Sequence, residues 1–261
     1  MSYVDLHMHS KYSDGKLSPQ EIVEYATENN IEVISITDHN TLDAYFQEVS
    51  LSNIKLVPGV EIDINYSPEI QVLCYNFDER NSDLLNVLKY IQIKRMQAKV
   101  KLVRSLLKMQ IIDKSDLTEV CKLNDFDHIC RYLETKIEGK TKSEIKSEYF
   151  SKGKVLYQEI PSLELDDCIK LVHNAGGIVV LAHPGRIHIA SDKIDSLFEE
   201  LLIRGVDGIE CYHPDNNETL SQSIIAFSKE HKCLITGGSD LHSIDTDFRV
   251  SDGSVTKIWE D

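Results

Sequence analysis

The stretch Val33-Ile34-Ser35-Ile36-Thr37-Asp38-His39 decides the fold class of this chain. Four of its first five residues are β-branched, and the run ends in two side chains that can bind a metal ion. A short, nearly uninterrupted apolar run is typical of a parallel strand that is buried on both faces. Similar runs lead to polar residues elsewhere in the chain: to His7, to Glu61, to His183 and, through Gly237-Gly238-Ser239, to Asp240.

Helical patterns separate these runs. Ser18-Pro19-Gln20-Glu21 is a helix start, with a Ser cap, Pro at the first position and Glu three residues after the cap. Residues 163–175 and 194–203 have the periodicity of amphipathic helices. Strands that alternate with helices, with polar residues at the strand C-termini, predict an α/β barrel, in which all strand ends meet at one rim.

The alternation stops between residues 80 and 155. Residues 81–109 predict one long helix, and shorter helices follow. We therefore expect a barrel made of residues 1–79 and 156–261, and an inserted helical cap subdomain at 80–155 that covers its mouth. From Arg80 to Lys154 there are 17 basic against 10 acidic residues, a net of +7, while the remainder carries a net of -22. This basic segment is either a solvated helical surface or a cap that attracts an anionic substrate.

Composition excludes several classes of protein. A net charge of -15 argues against binding to long nucleic acids. No apolar run reaches the roughly 18 residues that cross a bilayer, and the N-terminus has no signal-peptide pattern, so we expect a cytoplasmic protein that does not bind membranes. None of the six cysteines forms a Cys-x-x-Cys pair, so a zinc ribbon or a thioredoxin-type site is not supported.

The strongest chemical signal is a set of candidate metal ligands just after the predicted strands. His7 and His9 alternate on an extended segment, so both imidazoles can face one ion. Buried imidazoles and carboxylates are costly without partners, and a purely structural core would not collect them on one rim. Nitrogen and carboxylate ligands together suit Mn²⁺, Fe²⁺ or Zn²⁺. Eight ligands are too many for one ion and predict two or three: His7, His9, Asp14, His39, Glu61, His183, Asp240 and His242.

Five ordered motifs carry a family resemblance. The segments 5–15 (DLHMHSKYSDG), 36–41 (ITDHNT), 58–62 (PGVEI), 182–186 (AHPGR) and 237–242 (GGSDLH) resemble the motifs of the PHP (polymerase and histidinol phosphatase) family of metal-dependent phosphoesterases. The resemblance covers the chain outside the insertion. It implies a distorted seven-stranded (β/α) barrel with up to three metal ions.

The resemblance also implies a distribution of the ligands. His7 and His9 would hold one ion with Glu61 and Asp240, and Glu61 would bridge to a second ion held by His183. Asp14, His39 and His242 would hold a third. Gln71 stands where the family usually places a histidine for the second ion, which would then be weak, replaced by a harder ion or missing. Cys74 is a conceivable replacement ligand.

Within the family, Gly208-Ile209-Glu210-Cys211-Tyr212-His213-Pro214 resembles the nucleotide-directed branch. That branch removes the 3′-phosphate of nucleoside 3′,5′-bisphosphates or degrades short 5′-phosphorylated RNA from its 5′ end. The insertion falls at the same place, although Phe126-Asp127-His128 departs from the Arg-Pro-His of relatives. The expected substrate is therefore a phosphorylated small molecule or a short oligonucleotide.

The expected reaction is hydrolysis of a phosphate ester by a metal-bound hydroxide. Arg186, three residues after His183, would grip a phosphate, or would form a surface ion pair. His39 or His242 would assist the leaving group, and His213 is a further candidate for the rim. Two rival functions stay open: a histidinol-phosphate or other small phosphomonoester phosphatase, and a non-catalytic metal-binding regulatory module, which Gln71 alone favours.

Overall fold

The computed structural model describes residues 3–51, 53–123, 126–159, 161–244 and 248–260, apart from the side chains of Phe126, Asp127 and Asp252. Phe126 and Asp127, where the sequence departs from the Arg-Pro of relatives, are thus positions whose side chains are not described. The chain divides into two compact units. The first contains residues 1–88 and 162–261, and the second contains residues 89–161.

Two mixed sheets form the first unit. The smaller has the strand order β10-β1-β2-β3 and the larger has the order β6-β4-β5-β7-β8-β9. The strands are β1 (Tyr3–Met8), β2 (Ile31–Ile36), β3 (Lys55–Leu56), β4 (Gly59–Asn65), β5 (Ile70–Tyr75), β6 (Leu163–Glu164), β7 (Ile178–Leu181), β8 (Gly208–Tyr212), β9 (Leu234–Gly237) and β10 (Val250–Ser251). The predicted α/β class is confirmed.

Two isolated bridges join the two sheets. Met8 at the end of β1 pairs with Leu241 beyond β9, and His39 beyond β2 pairs with Glu61 in β4. The sheets do not form one continuous closed ladder within the described ranges. The two bridges nevertheless bring the C-terminal ends of β1, β2 and β9 close to the first residues of β4, and this region carries the predicted ligands.

The sequence pattern indicated parallel strands, but the observed strands are not all parallel. Strand β5 runs antiparallel to both of its neighbours, β4 and β7. It follows β4 after a tight turn at residues 66–69, because no helix separates the two strands. The run 54–60 also divides into β3 and β4, with Val57-Pro58 between them.

Helices cover the sheets of the first unit. Helix α1 (Pro19–Glu28) has the predicted capping box, because the Ser18 side chain accepts from the Glu21 amide and the Glu21 side chain accepts from the Ser18 amide. Helix α6 (Leu165–Asn174) begins two residues later than predicted, since Leu163 and Glu164 pair with β4 as strand β6. Helices α7 (Ile194–Arg204) and α8 (Glu218–His231) complete the unit, and α7 ends at Gly205, whose φ of 109° is left-handed.

The second unit is helical. The predicted long helix is observed as α2 (Ser82–Lys108), which begins in the first unit. Helices α3 (Leu117–Lys122), α4 (Phe126–Glu134) and α5 (Lys142–Ile145) follow, and a π-helical turn (Lys146–Phe150) continues α5. Their buried side chains form a core that includes Leu102, Leu106, Val120 and Leu133. Among the described helices, none combines the length and the apolar character that crossing a bilayer requires.

Candidate metal centre

The end of β1 brings two imidazoles together in a fully buried position. His7 Nε2 lies 3.1 Å from His9 Nε2, and the Asp240 Oδ1 atom is 3.4 Å from the first and 3.1 Å from the second. Glu61 Oε2 is 3.5 and 3.4 Å from the same two nitrogens. Atoms bound about 2.1 Å from one transition-metal ion lie roughly 3.0–3.4 Å apart, depending on the coordination angle. The four side chains therefore have the spacing of ligands around one ion.

Asp14 is the centre of a second group. Its Oδ2 atom lies 3.1 Å from His242 Nε2 and 3.5 Å from His39 Nε2, and its Oδ1 atom lies 3.5 Å from His9 Nδ1. The other ring nitrogen of His242, Nδ1, donates to the Asp240 backbone carbonyl at 2.8 Å. This bond leaves a lone pair on His242 Nε2, which faces the carboxylate of Asp14.

A third group joins Glu61 to His183. Glu61 Oε1 lies 2.8 Å from His183 Nε2, while Glu61 Oε2 faces His7, His9 and, at 3.1 Å, His39 Nδ1. One carboxylate thus contacts histidines of all three groups. All eight predicted ligands come together in this region.

Glu210 contacts two of the predicted ligands, and the sequence analysis did not assign it a role. This carboxylate is fully buried in β8, and its Oε1 atom accepts the His7 Nδ1–H at 2.9 Å. Its other oxygen accepts the His183 backbone N–H at 2.7 Å. A carboxylate behind a ligand histidine fixes the ring tautomer and orientation, so His7 Nε2 keeps its lone pair for an ion. The signal was present in the sequence, because a glutamate within an apolar strand needs a buried partner.

Two further aspartates hold the loops that carry the ligands. Asp38 accepts hydrogen bonds from the Ser10 amide, the Ser10 hydroxyl and the Ser13 hydroxyl. Asp5 accepts from the amide and the hydroxyl of Ser239. These bonds fasten the loop after His9 and the loop before Asp240, and they leave Asp5 and Asp38 out of the ligand set.

The electrostatics of the cluster show how strongly the imidazoles and carboxylates interact. Burial raises the pKa of Glu61, but the neighbouring His39 and His7 rings outweigh burial and hold that pKa well below its usual range. Burial lowers the pKa of His39, yet the carboxylates of Glu61 and Asp14 raise it to about 10. Carboxylates whose oxygens converge on imidazole nitrogens need positive charge among them, either protons or metal cations.

Arg186 lies at the edge of the cluster. Its Nη2 atom donates to Asp240 Oδ2 at 2.7 Å, and its Nε atom donates to Asp215 Oδ2 at 2.5 Å. The guanidinium is about half exposed. Arg186 thus forms an ion pair, which was the alternative to phosphate binding. One of its two partners, Asp240, is a predicted metal ligand.

Gln71 lies beside His39. Its Nε2 atom donates to Asp63 Oδ1 at 2.8 Å and is 3.4 Å from His39 Nδ1. Cys74 is fully buried in the apolar cluster with Val72, on the face of β5 opposite to Gln71, and burial raises the pKa of its thiol well above the ordinary value. Cys74 is therefore unsuited to replace the missing histidine.

The residues fit a divalent metal better than they fit one another. The Nε2 lone pair of His7 is free because Nδ1 serves Glu210, and it faces His9 Nε2 and two carboxylate oxygens within 3.1–3.5 Å. Acceptors that point at one another are repulsive unless a cation or proton lies between them. Groups able to hold a metal ion are formed by His9, Asp14, His39 and His242, by His7, His9 and Asp240, and by His7, Glu61 and His183.

Comparison with known proteins identifies the family. The PHP domain model matches residues 5–211 of the chain. The chain belongs to the PHP domain family. This match confirms the predicted family.

Relatives of this PHP chain are enzymes that act on phosphate esters. It is 27% identical to the 5′-3′ exoribonuclease of Haemophilus influenzae, over 91% of this chain and 89% of that protein. It is 24% identical to the 3′,5′-nucleoside bisphosphate phosphatase of Chromobacterium violaceum, over 93% of this chain and 88% of that protein. The structure of an amidohydrolase from Chromobacterium violaceum with bound sulfate and no metal has a TM-score of 0.79 and 23% identity, covering 99% of this chain and 95% of that one. The exoribonuclease and phosphatase relatives confirm the expected class, a phosphoric ester hydrolase, and the amidohydrolase shows the similarity of fold.

Proposed function

We propose that this PHP protein hydrolyses a phosphate ester of a nucleotide or a short oligonucleotide, such as the 3′-phosphate of a nucleoside 3′,5′-bisphosphate. The observation that carries the proposal is the buried convergence of His7, His9, Glu61 and Asp240 within 3.1–3.5 Å. The activities of the exoribonuclease and bisphosphatase relatives support the substrate class.

Two or three divalent ions would be held by the three groups of ligands. Mn²⁺, Fe²⁺ or Zn²⁺ suits this mixture of imidazole and carboxylate. When bound, such ions would supply a water nucleophile of lowered pKa and would neutralise charge on the phosphoryl oxygens. We propose that the position beside His183 is the weakest of the three, because the family resemblance implies a histidine ligand for that ion at position 71, where Gln71 is bonded to Asp63 instead.

The remaining chemistry belongs to residues at the edge of the cluster. Arg186 is proposed to bind the phosphate, with Asp240 and Asp215 holding its guanidinium in place. His39 or His242 is the proposed proton donor to the leaving group, in a state in which its Nε2 atom carries a proton instead of binding an ion. His242 is the more exposed of the two, with 34% of its side chain accessible against 24% for His39, so we place it first.

The same proposal includes the finer architecture and the location of the protein. The bridges Met8–Leu241 and His39–Glu61 would close β1, β2, β4, β5, β7, β8 and β9 into a distorted seven-stranded barrel. Residues 80–155 would form a cap that attracts anionic substrates, since this segment carries a net charge of +7 within an acidic chain. We further propose a cytoplasmic protein that binds neither membranes nor long nucleic acids.

The test is phosphate release by protein purified with Mn²⁺. The substrates are a nucleoside 3′,5′-bisphosphate, a nucleoside monophosphate, a short 5′-phosphorylated RNA and histidinol phosphate. We expect turnover of the bisphosphate or the RNA, abolished by Asp240→Asn and unchanged by Asp192→Asn at an exposed position. Turnover of histidinol phosphate alone would favour the small-phosphatase alternative. No turnover of any substrate by metal-loaded protein would favour a regulatory metal-binding module.

A further inference from the structure

His213 has a buried hydrogen-bond donor that the proposed function does not use. The residue follows β8, and its side chain is fully buried. Its Nδ1 atom accepts the Asp215 backbone N–H at 3.0 Å. An acceptor nitrogen holds a lone pair, so the neutral ring carries its proton on Nε2.

Among the residues that the structure describes, no acceptor lies within hydrogen-bonding distance of the Nε2–H of His213. Asp240 Oδ2 is 3.6 Å away, which is too long for a hydrogen bond, and that oxygen already accepts from Arg186 Nη2 at 2.7 Å. Buried donors in native proteins are almost always satisfied by protein, water or ligand. The ring centroid of His213 lies 5.3 Å from that of His183 and 5.8 Å from that of His7, so the donor lies at the candidate metal centre.

His213 does not have the properties of a metal ligand, although its ring groups with His7 and Glu210. Both oxygens of Glu210 are engaged, one by His7 Nδ1–H and the other by the His183 amide. The Nε2 atom of His213 carries a proton, and its Nδ1 lone pair is taken by a backbone amide. This group is therefore a hydrogen-bonded support rather than a further metal position.

We propose that the Nε2–H of His213 donates a hydrogen bond to a phosphoryl oxygen of the bound ligand. Arg186 Nη2 and His213 Nε2 both approach the same oxygen of Asp240. An anionic oxygen beside Asp240 can meet a guanidinium and an imidazole donor together, as a tetrahedral phosphate requires. No proton is transferred, since the neutral ring is already the donor. This inference rests on the proposed function and deepens it.

The experiment compares His213→Leu with His213→Gln, whose amide nitrogen can replace the Nε2 donor. The probe is inorganic phosphate, titrated calorimetrically into Mn²⁺-loaded protein, and bound metal is counted in each variant. We expect His213→Leu to weaken phosphate binding about 10- to 100-fold, the usual loss of a hydrogen bond to a charged group. His213→Gln is expected to stay within about threefold of the parent protein on the same scale. His188→Leu, at an exposed histidine, is the matched control and is expected to change nothing.

Several outcomes would overturn the inference. If His213→Leu bound phosphate as tightly as the parent protein, the partner of the Nε2–H would be a water molecule and not the phosphate. If both variants lost metal, His213 would be a metal ligand or a support for Asp240. The tautomer is read separately from long-range ¹⁵N–¹H spectra of Zn²⁺-loaded protein, and a proton on Nδ1 would contradict the assignment even if His213→Leu failed to fold. If phosphate binding falls as expected but no phosphate ester is turned over, the proposed function fails and the role of His213 stands.

Discussion

Glu210→Gln tests whether the carboxylate behind His7 sets the affinity for metal. The native carboxylate receives two donors, His7 Nδ1–H at 2.9 Å and the His183 amide at 2.7 Å. An amide of the same shape has one acceptor and one donor end, so one of the two incoming N–H groups must face another N–H. If the amide nitrogen faces His7, the imidazole moves its proton to Nε2 and loses the lone pair that faces His9.

The size of the effect follows from the position of Glu210. Loss of a buried hydrogen-bonding partner behind a ligand histidine typically costs 10- to 100-fold in metal affinity, or about 1.4–2.8 kcal/mol. Since the site is fully buried and both oxygens are used, we expect a value in the upper half of that range. Glu230→Gln, at an exposed position of α8, is the matched control and should leave the affinity unchanged.

The assay is competition for Mn²⁺ with a chelator of known affinity, followed by turnover at saturating Mn²⁺. We expect the metal affinity to fall and most of the turnover to return when the site is filled. Equal affinities for Glu210→Gln and Glu230→Gln would refute the reasoning, because His7 would then not depend on Glu210 for its tautomer. A protein that melts far below the parent when metal-loaded would point instead to a general folding role.

Three further perturbations address other parts of the site. Gln71→His should raise the number of bound ions and the rate of hydrolysis, and an unchanged metal count would show that position 71 is not the missing ligand. Removal of metal by a chelator should destabilise the protein by about 2.7 kcal/mol if metal had been present at 100 times its dissociation constant, which lowers the melting temperature by roughly 5–11 °C. Gly238→Ala should reduce metal content sharply, because an added Cβ would come within 2.4 Å of the His7 backbone nitrogen and Cβ. In the control Gly253→Ala, the added Cβ meets no atom within 4 Å, so the metal content of this variant should equal that of the parent protein.

The sequence predicted the ligand cluster because most of the ligands lie at, or just after, strand ends that come together in the fold. His7, His39, His183 and Asp240 could be placed together from the apolar runs alone, without any knowledge of side-chain geometry. The capping box of α1 could also be predicted from the sequence, because Ser18 and Glu21 are only three residues apart. Such features depend on neighbours in the chain, and periodicity reports them well.

What the sequence did not predict depends on contacts across the fold. The reversed direction of β5 follows from a short turn, and an apolar run has no direction of its own. The role of Glu210 depends on which face of β8 meets β1, a question of packing that the isolated strand does not answer. The protonated nitrogen of His213 depends on the amide of Asp215, which reaches it only because the loop after β8 turns back on itself.

The backbone contributes to the close spacing of the ligands. His183 and Asp240 have φ values of 27° and 54°, in the left-handed region that costs a non-glycine residue roughly 1–2 kcal/mol. Each lies in the loop that follows the end of a strand. The loop that contains Asp240 cannot relax, because Ser239 is bonded to Asp5 and Gly238 packs directly on His7. The fold therefore helps to set the positions of these ligand atoms, and the strain at the two ligands is balanced by contacts that lie outside the coordination groups.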